Sequence, residues 1–230
     1  MARRIFVLYV LLDGYSAQQC QSLEDSSLKF PPALREGISR YRRMEDRCSR
    51  ILGKWLMLKA CEIAGCPHVS PALLEELSKD DFGRPLIRGT GIDLNLTHSG
   101  ECVLCAAMPQ SRVGVDVERL RAVRVGDFQS IFAPRVWARI QAEEDQQKAF
   151  FREWTRLEAV TKADGRGLRL PTQSVDCVDG VAVVDGHAWY LHEIALGAGY
   201  ACHVAAAMKD AELVVKAFRW DGSRLCGVAE

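Results

Sequence analysis

The chain has 230 residues with 30 Lys+Arg against 30 Asp+Glu, five His and nine Cys; 48% are hydrophobic and 26% charged. That apolar share with mixed charge excludes a disordered chain, and a formal net charge of zero excludes a protein that grips nucleic acid with its whole surface. No apolar run approaches the ~20 residues of a membrane span, so the expectation is a soluble globular protein, without membrane or nucleic-acid partners, built as one large domain or two small fused ones.

Residues 1–15 carry two Arg and then the apolar run Ile5 to Leu12, a crude imitation of a secretory leader. The run is short, Asp13-Gly14 closes it, and no small-residue cleavage site follows, so it reads as a buried strand. Residues 32–65 repeat apolar side chains at helical spacing (Ile51, Leu52, Trp55, Leu56, Leu58, Ile63) up to a Gly65 and Pro67 stop. Residues 75–91 are polar and hold Asp81-Phe82-Gly83-Arg84-Pro85, a loop signal. Three strand-like pieces follow at 93–97, 102–108 and 113–117, the first two joined by a tight His98-Ser99-Gly100 turn. Helix returns over 127–163, broken near Pro134 and closed by Gly165 and Gly167. Turns at Asp179-Gly180 and Asp185-Gly186 then predict an antiparallel meander from 174 to about 219.

The nine Cys are odd in number and scattered, which suits free, mostly buried thiols in a reducing cytoplasm. Cys102 and Cys105 imitate half a zinc site, but an odd spacing in a strand sends their sulfurs to opposite faces. A faint internal repeat is also present. Trp55 to Ala64 matches Trp154 to Ala163, and Cys102 to Met108 matches Cys202 to Met208, at offsets of 99 and 100 residues. Agreement in offset and order predicts an α+β fold: a pseudo-twofold pair of similar lobes, each a long helix packed on a small antiparallel sheet. The expected division is an N-terminal lobe at 1–110 and a C-terminal lobe at 111–230.

Four groups of residues could carry chemistry. In Gly114-Val-Asp-Val-Glu118 the two carboxylates share one strand face; they suit a hard cation such as Mg²⁺, or equally a solvated face neutralised by Arg119 or Arg121. Glu158 and Lys162 stand four apart on the second long helix, either as a plain surface ion pair or facing a cleft beside the carboxylate strand. His98, between Thr97 and Ser99 at a strand end, makes either a structural hydrogen-bonding residue or an anion-friendly corner. Residues 35–54 hold seven Arg or Lys against three acids, which makes either a solvated helix face or a phosphate-attracting one.

Set in order, Phe82-Gly-Arg-Pro85, Asn95-Leu-Thr-His-Ser-Gly100, Gly114-Val-Asp-Val-Glu118 and Phe151-Arg-Glu-Trp-Thr-Arg-Leu-Glu-Ala-Val-Thr-Lys162, closed by Gly165-Arg-Gly-Leu168, resemble the Sfp-type 4′-phosphopantetheinyl transferases. The resemblance implies transfer of 4′-phosphopantetheine from coenzyme A (CoA), with Mg²⁺, to a serine of an apo acyl or peptidyl carrier protein, releasing 3′,5′-ADP. It implies Asp116, Glu118 and Glu158 as metal ligands and Glu158, Lys162 and Asp116 as catalytic groups. It further implies CoA contacts from Arg42 (or Arg43), Arg50, Arg84, Pro85, Thr97, His98, Ser99, Asp116 and Lys162, with Arg84 and Pro85 bordering the adenine. A monomer is expected, because one chain supplies both lobes. Leu157 stands where the family usually has Lys; it supports the rival expectation, a non-catalytic descendant that binds CoA or a carrier, and Arg156 could compensate. An acidic carrier calls for a basic rim, expected at Arg119, Arg121, Arg124, Arg135 and Arg139, around Phe128, Ile131, Phe132 and Val136. Those apolar side chains could equally pack the second lobe.

Overall fold

A computed structural model describes residues 3–228. The opening apolar run is strand β1 (Arg4–Leu11), buried on both faces: Phe6, Leu8 and Val10 enter one core, Ile5 and Val7 another. Helix α1 (Ala17–Ser26) follows, its start fixed by a capping box in which Ser16 and Gln19 bond each other's backbone amides. The expected helical stretch splits into α2 (Pro32–Ser39) and α3 (Met44–Ile63). Inside the polar 75–91 stretch lies a small hairpin, β2 (Leu77–Lys79) and β3 (Pro85–Ile87), whose loop is organised by the Asp80 carboxylate accepting from the amides of Phe82 and Arg84. The three expected strands are β4 (Ile92–Ser99), β5 (Cys102–Pro109) and β6 (Val113–Arg119).

In the second half, a 3₁₀ turn (Val125–Ile131) leads to α4 (Pro134–Ala142) and α5 (Gln146–Asp164), which Gly165 ends in the left-handed region. Then come β7 (Cys177–Val178), β8 (Val181–Val184), β9 (His187–Glu193), β10 (Tyr200–Ala206), β11 (Glu212–Trp220) and β12 (Leu225–Gly227). The meander holds through β10. The fifth strand leaves it: β11 pairs parallel with β1 and carries β12 on its outer edge, so the first sheet is mixed.

The strand orders expose the duplication. The first sheet runs β12-β11-β1-β5-β4-β3-β2 and the second β6-β10-β9-β8-β7. Without β11 and β12, each sheet has its lobe's first strand at one end, next to its last, followed by the rest in reverse order. The repeated segments occupy equivalent places, β5 with β10 and α3 with α5. The molecule stacks as helix, sheet, sheet, helix. One core lies under α3, another under α5, and a third joins the two sheets through Leu104 and Met108 on one side and Val113, Val115, Val117 and Val204 on the other. Cys102 lies in the middle core and Cys105 under α3, on opposite faces of β5 as their spacing requires. All nine thiols are free.

Candidate active site

The site grows out of the seam between the sheets. One edge of β6 pairs with β10, which leaves alternate amides on its other edge without strand partners. Alternate side chains of β4 supply them. Val113 N donates to Asp93 Oδ2 (2.7 Å), Val115 N to Asn95 Oδ1 (3.0 Å), Val117 N to Thr97 Oγ1 (3.4 Å) and Arg119 N to Ser99 Oγ (3.1 Å). Each pair is twenty residues apart, so the polar half of β4 is a ladder that satisfies buried amides which would otherwise be costly. At its far end the same hydroxyls turn to carboxylates: Thr97 donates to Asp116 Oδ1 (3.1 Å) and Ser99 to Glu118 Oε2 (2.8 Å).

While Val113, Val115 and Val117 face the middle core, the alternate positions Gly114, Asp116 and Glu118 face α5. The helix lies so close that a Cβ at Gly114 would sit 2.2 Å from both Ala159 O and Ala163 N. This close approach brings Lys162 Nζ to 2.5 Å from Asp116 Oδ1 and 3.4 Å from Thr97 Oγ1. Burial raises the Asp116 pKa even against the Lys162 ammonium. Burial, with the negative charges of Asp116 and Glu118, likewise raises that of Glu158. Glu118 is held on its other side by Arg121 Nη1 at 3.2 Å.

Among the described residues, no three His, Cys, Asp or Glu side chains are arranged as a metal centre. The donor chemistry nevertheless fits a hard divalent cation. Asp116 Oδ2 is buried without a hydrogen-bond partner, and two neighbouring carboxylates have raised pKa values that such a cation would relieve.

Beside the cluster, a cavity of about 440 Å³ opens between α2, α3 and the first sheet. Thr97 and His98 line it, which connects it directly to Asp116 and Lys162; Arg50 also lines it, its guanidinium 3.8 Å from the centroid of the Tyr41 ring. Burial, then the charges of Arg50 and Lys162, lower the His98 pKa, so the imidazole is neutral at pH 7. Arg42 is exposed just before α3 and donates nothing within the protein among the hydrogen bonds of the described residues.

Arg84 has a different setting from the cavity wall. Only 6% exposed, its guanidinium pairs through two nitrogens with Asp93 and donates to the carbonyls of Lys162 and Val113. It ties β3 to the end of α5 and the start of β6; the half-buried Pro85 follows it. Leu157 is buried in the core under α5. Arg156 is engaged with Glu153 (2.9 Å) and His203 Nε2 (3.3 Å). The neighbouring ring nitrogen of His203 meets Thr155 Oγ1 at 2.8 Å, which anchors α5 to β10 one turn before Glu158.

Of the expected basic rim, Arg119, Arg121, Arg124 and Arg135 are exposed; Arg119 is near Glu101, Arg121 pairs with Glu118, and Arg135 and Arg139 pair with the buried Asp176. Phe132 and Val136 are buried in the second lobe and Phe128 and Ile131 are packed against it, so the packing alternative is the one observed. Sequence reasoning missed Asp93 and Asn95, although polar residues at every second position of β4 opposite Leu94 and Leu96 were a visible signal. It also missed Lys79 on the cavity wall, which lies outside the basic stretch 35–54 and carries no motif, whereas Lys54 belongs to that stretch.

Comparison with known proteins bears on the β6 and α5 side of the site. Residues 112–205 match the model of the 4′-phosphopantetheinyl transferase superfamily. The chain is 28% identical over 142 residues to the 4′-phosphopantetheinyl transferase gsp of Aneurinibacillus migulanus, covering 60% of this chain and 57% of that one. A 4′-phosphopantetheinyl transferase of Bacillus subtilis is 27% identical over 143 residues, 61% of this chain and 62% of the relative. Sfp of Bacillus subtilis strain 168 is 26% identical over 189 residues, 78% and 83% of the two chains. The matched part thus spans about three fifths of the first two relatives. The resemblance read from the sequence is borne out over residues 112–205, from β6 through α5 into β10, which are similar to the 4′-phosphopantetheinyl transferase superfamily.

Proposed function

We propose that this chain transfers the 4′-phosphopantetheine group of CoA to a serine hydroxyl of an apo acyl or peptidyl carrier protein and releases 3′,5′-ADP. One observation carries the reading: the Asp116–Lys162–Thr97 cluster opens through Thr97 and His98 onto a cationic cavity. That juxtaposition suits a bound polyanion whose reacting phosphate reaches the cluster. The names of the relatives agree with it.

In the reaction the serine oxygen bonds to the β-phosphorus of CoA. The bond from that phosphorus to the bridging oxygen breaks, and 3′,5′-ADP departs with the oxygen and its electron pair. Glu158, whose pKa burial raises, takes the serine proton. Lys162 offsets charge on the departing phosphate, and Asp116 and Thr97 aim its ammonium. His98 and Ser99 contact phosphate, while Arg50 and Arg42 add positive charge at the cavity. Pro85 borders the adenine; Arg84 supports the site by holding the Lys162 carbonyl. A Mg²⁺ ion held by Asp116, Glu118 and Glu158 would supply charge neutralisation at the pyrophosphate.

The lobes divide at residues 1–110 and 111–230 in this reading, the first on the CoA side, with β11 and β12 returning to its sheet. The protein acts as a monomer in the cytoplasm, where CoA and carriers meet. Among the described residues no helix is long and apolar enough to cross a membrane. Arg119, Arg121 and Arg124 meet the acidic carrier. Chromatography of 3′,5′-ADP after incubation with CoA, Mg²⁺ and several apo carriers tests the proposal. Release that stops when the carrier serine is replaced by alanine is expected. CoA binding without release on any carrier would leave only a binding protein and overturn it.

A further inference from the structure

Two rungs of the β4 ladder do the same work with different side chains. Asn95 Oδ1 accepts from Val115 N at 3.0 Å, and Asp93 Oδ2 accepts from Val113 N at 2.7 Å. An amide oxygen is therefore enough to hold a rung, and the negative charge at Asp93 answers a different need. That need is Arg84, which donates to Asp93 through Nε (3.2 Å to Oδ1) and through Nη2 to Oδ2. A buried guanidinium requires a counter-charge, and acceptors for its remaining hydrogens. The acceptors are the main-chain carbonyls of Val113 and Lys162.

The second of these carbonyls lies in the last turn of α5, where a helix leaves its final carbonyls without intrahelical donors. Thr161 O accepts from Gly165 N (3.0 Å), Asp164 O from Arg112 Nη2 (3.1 Å) and Lys162 O from Arg84. The amide of Arg166, which would continue the helical pattern onto Lys162 O, turns to Asp164 Oδ1 instead (3.4 Å). A cation at this end is also favoured by the helix dipole. Lys162 is thus gripped twice: Arg84 of the first lobe holds its carbonyl, while Asp116 (2.5 Å) and Thr97 (3.4 Å) hold its ammonium. It stands two residues from the end of α5, where helices fray. Neither Asp93 nor Arg84 is among the described residues that line the cavity beside the cluster.

We propose that Asp93 is a positioning residue for the transfer reaction: it orients the Arg84 guanidinium onto the end of α5 and so fixes Lys162 for the departing phosphate. This rests on the transferase reading above. Charge on that phosphate grows as its bond to the β-phosphorus breaks, so a well-placed Lys162 counts more in the transition state than in the CoA complex. Misplacing a reacting group by about 1 Å can cost on the order of a hundredfold, and partial release of the helix end should cost on the order of tenfold.

Turnover with an apo carrier, CoA affinity by calorimetry and thermal melting, all on the full chain, test it together. Asp93→Asn keeps an oxygen for Val113 N, as Asn95 does one rung away, and removes the charge. It should lower kcat on the order of tenfold while the Kd for CoA stays within about twofold of wild type. If the uncompensated Arg84 unfolds that variant, Asp93→Asn combined with Arg84→Gln removes both charges and should show the same split. In a Lys162→Met background, Asp93→Asn should cost no further turnover, because its effect passes through Lys162. A lowered melting temperature with kcat intact, a loss of CoA affinity as large as the loss of kcat, or the full extra loss in the Lys162→Met background would overturn the assignment alone. Wild type that transfers nothing to any apo carrier would overturn the transferase reading, and this assignment with it.

Discussion

His203 illustrates how one buried side chain supports chemistry it does not perform. It is 2% exposed on β10, paired in register with Asp116, and bonded to Thr155 and Arg156 of α5. Thr155 Oγ1 donates to Phe151 O, so it accepts from Nδ1–H, and Nε2 accepts from Arg156; both ring nitrogens are satisfied only in the neutral form. Burial, reinforced by the positive charges of Arg156 and Arg152, lowers its pKa to about 3. Below its ordinary value of 6.5 the unfolded chain binds a proton at this residue and the folded chain does not, so acid favours unfolding. Its contribution to stability should fall by up to about 1.4 kcal/mol per pH unit below pH 6.5. Urea midpoints at pH 7 and pH 5 should drop further in wild type than in His203→Asn, which keeps a donor near Thr155 without titrating; equal drops would refute it. Lys162 and His203 differ in their partners: the first meets a carboxylate, the second a hydroxyl and a guanidinium.

At the scale of elements, the contact of α5 with β6 matters most. Gly114 is not a turn residue; its φ is ordinary, and its requirement is space. Gly114→Ala would force the helix backbone off the strand, so overpacking should cost about 1–3 kcal/mol. The melting temperature should fall by roughly 2–12 °C. Transfer, assayed well below the new melting temperature, should fall as well, because Lys162 moves with the helix; a variant with wild-type stability and turnover would contradict this packing account. Much of this contact was legible beforehand: a strand with carboxylates two apart, a helix with Glu and Lys four apart, and small residues around them. The hairpin of β2 and β3 was not, since Asp80 stabilises it through a local loop within a polar sequence. Helix α1 carried a readable capping box at Ser16 and Gln19, yet its weak apolar face hid it. The resemblance implies Arg84 as a neighbour of the adenine; tertiary structure adds Asp93, Val113 O and Lys162 O around its guanidinium, partners the motif does not name. Motifs name residue types, while the partners of a buried cation are decided by strands far away in sequence.

The whole molecule is two copies of one five-strand plan joined face to face, and the candidate site lies on their seam. The internal repeat foretold the duplication, because each lobe needs the same small-residue strand and the same long helix. It could not foretell β11, which pairs with β1 across more than two hundred residues and leaves the meander for the other sheet. Three devices hold the seam: the shared apolar core, the β4 side-chain ladder on β6, and Arg84. The polar two continue without interruption into Thr97, Asp116 and Lys162, so the groups that join the lobes also position the cluster to which the proposed chemistry is assigned. Zero net charge is likewise a property of the sum alone, with cations gathered at the cavity and at Arg119, Arg121 and Arg124. The most direct test is the intact mass of an apo carrier protein after incubation with this chain, CoA and Mg²⁺. Wild type should add one phosphopantetheine to the carrier serine, and a folded Asp116→Ala variant should transfer at least about a hundredfold more slowly. An unmodified carrier with wild type, or undiminished transfer by the variant, would contradict the account.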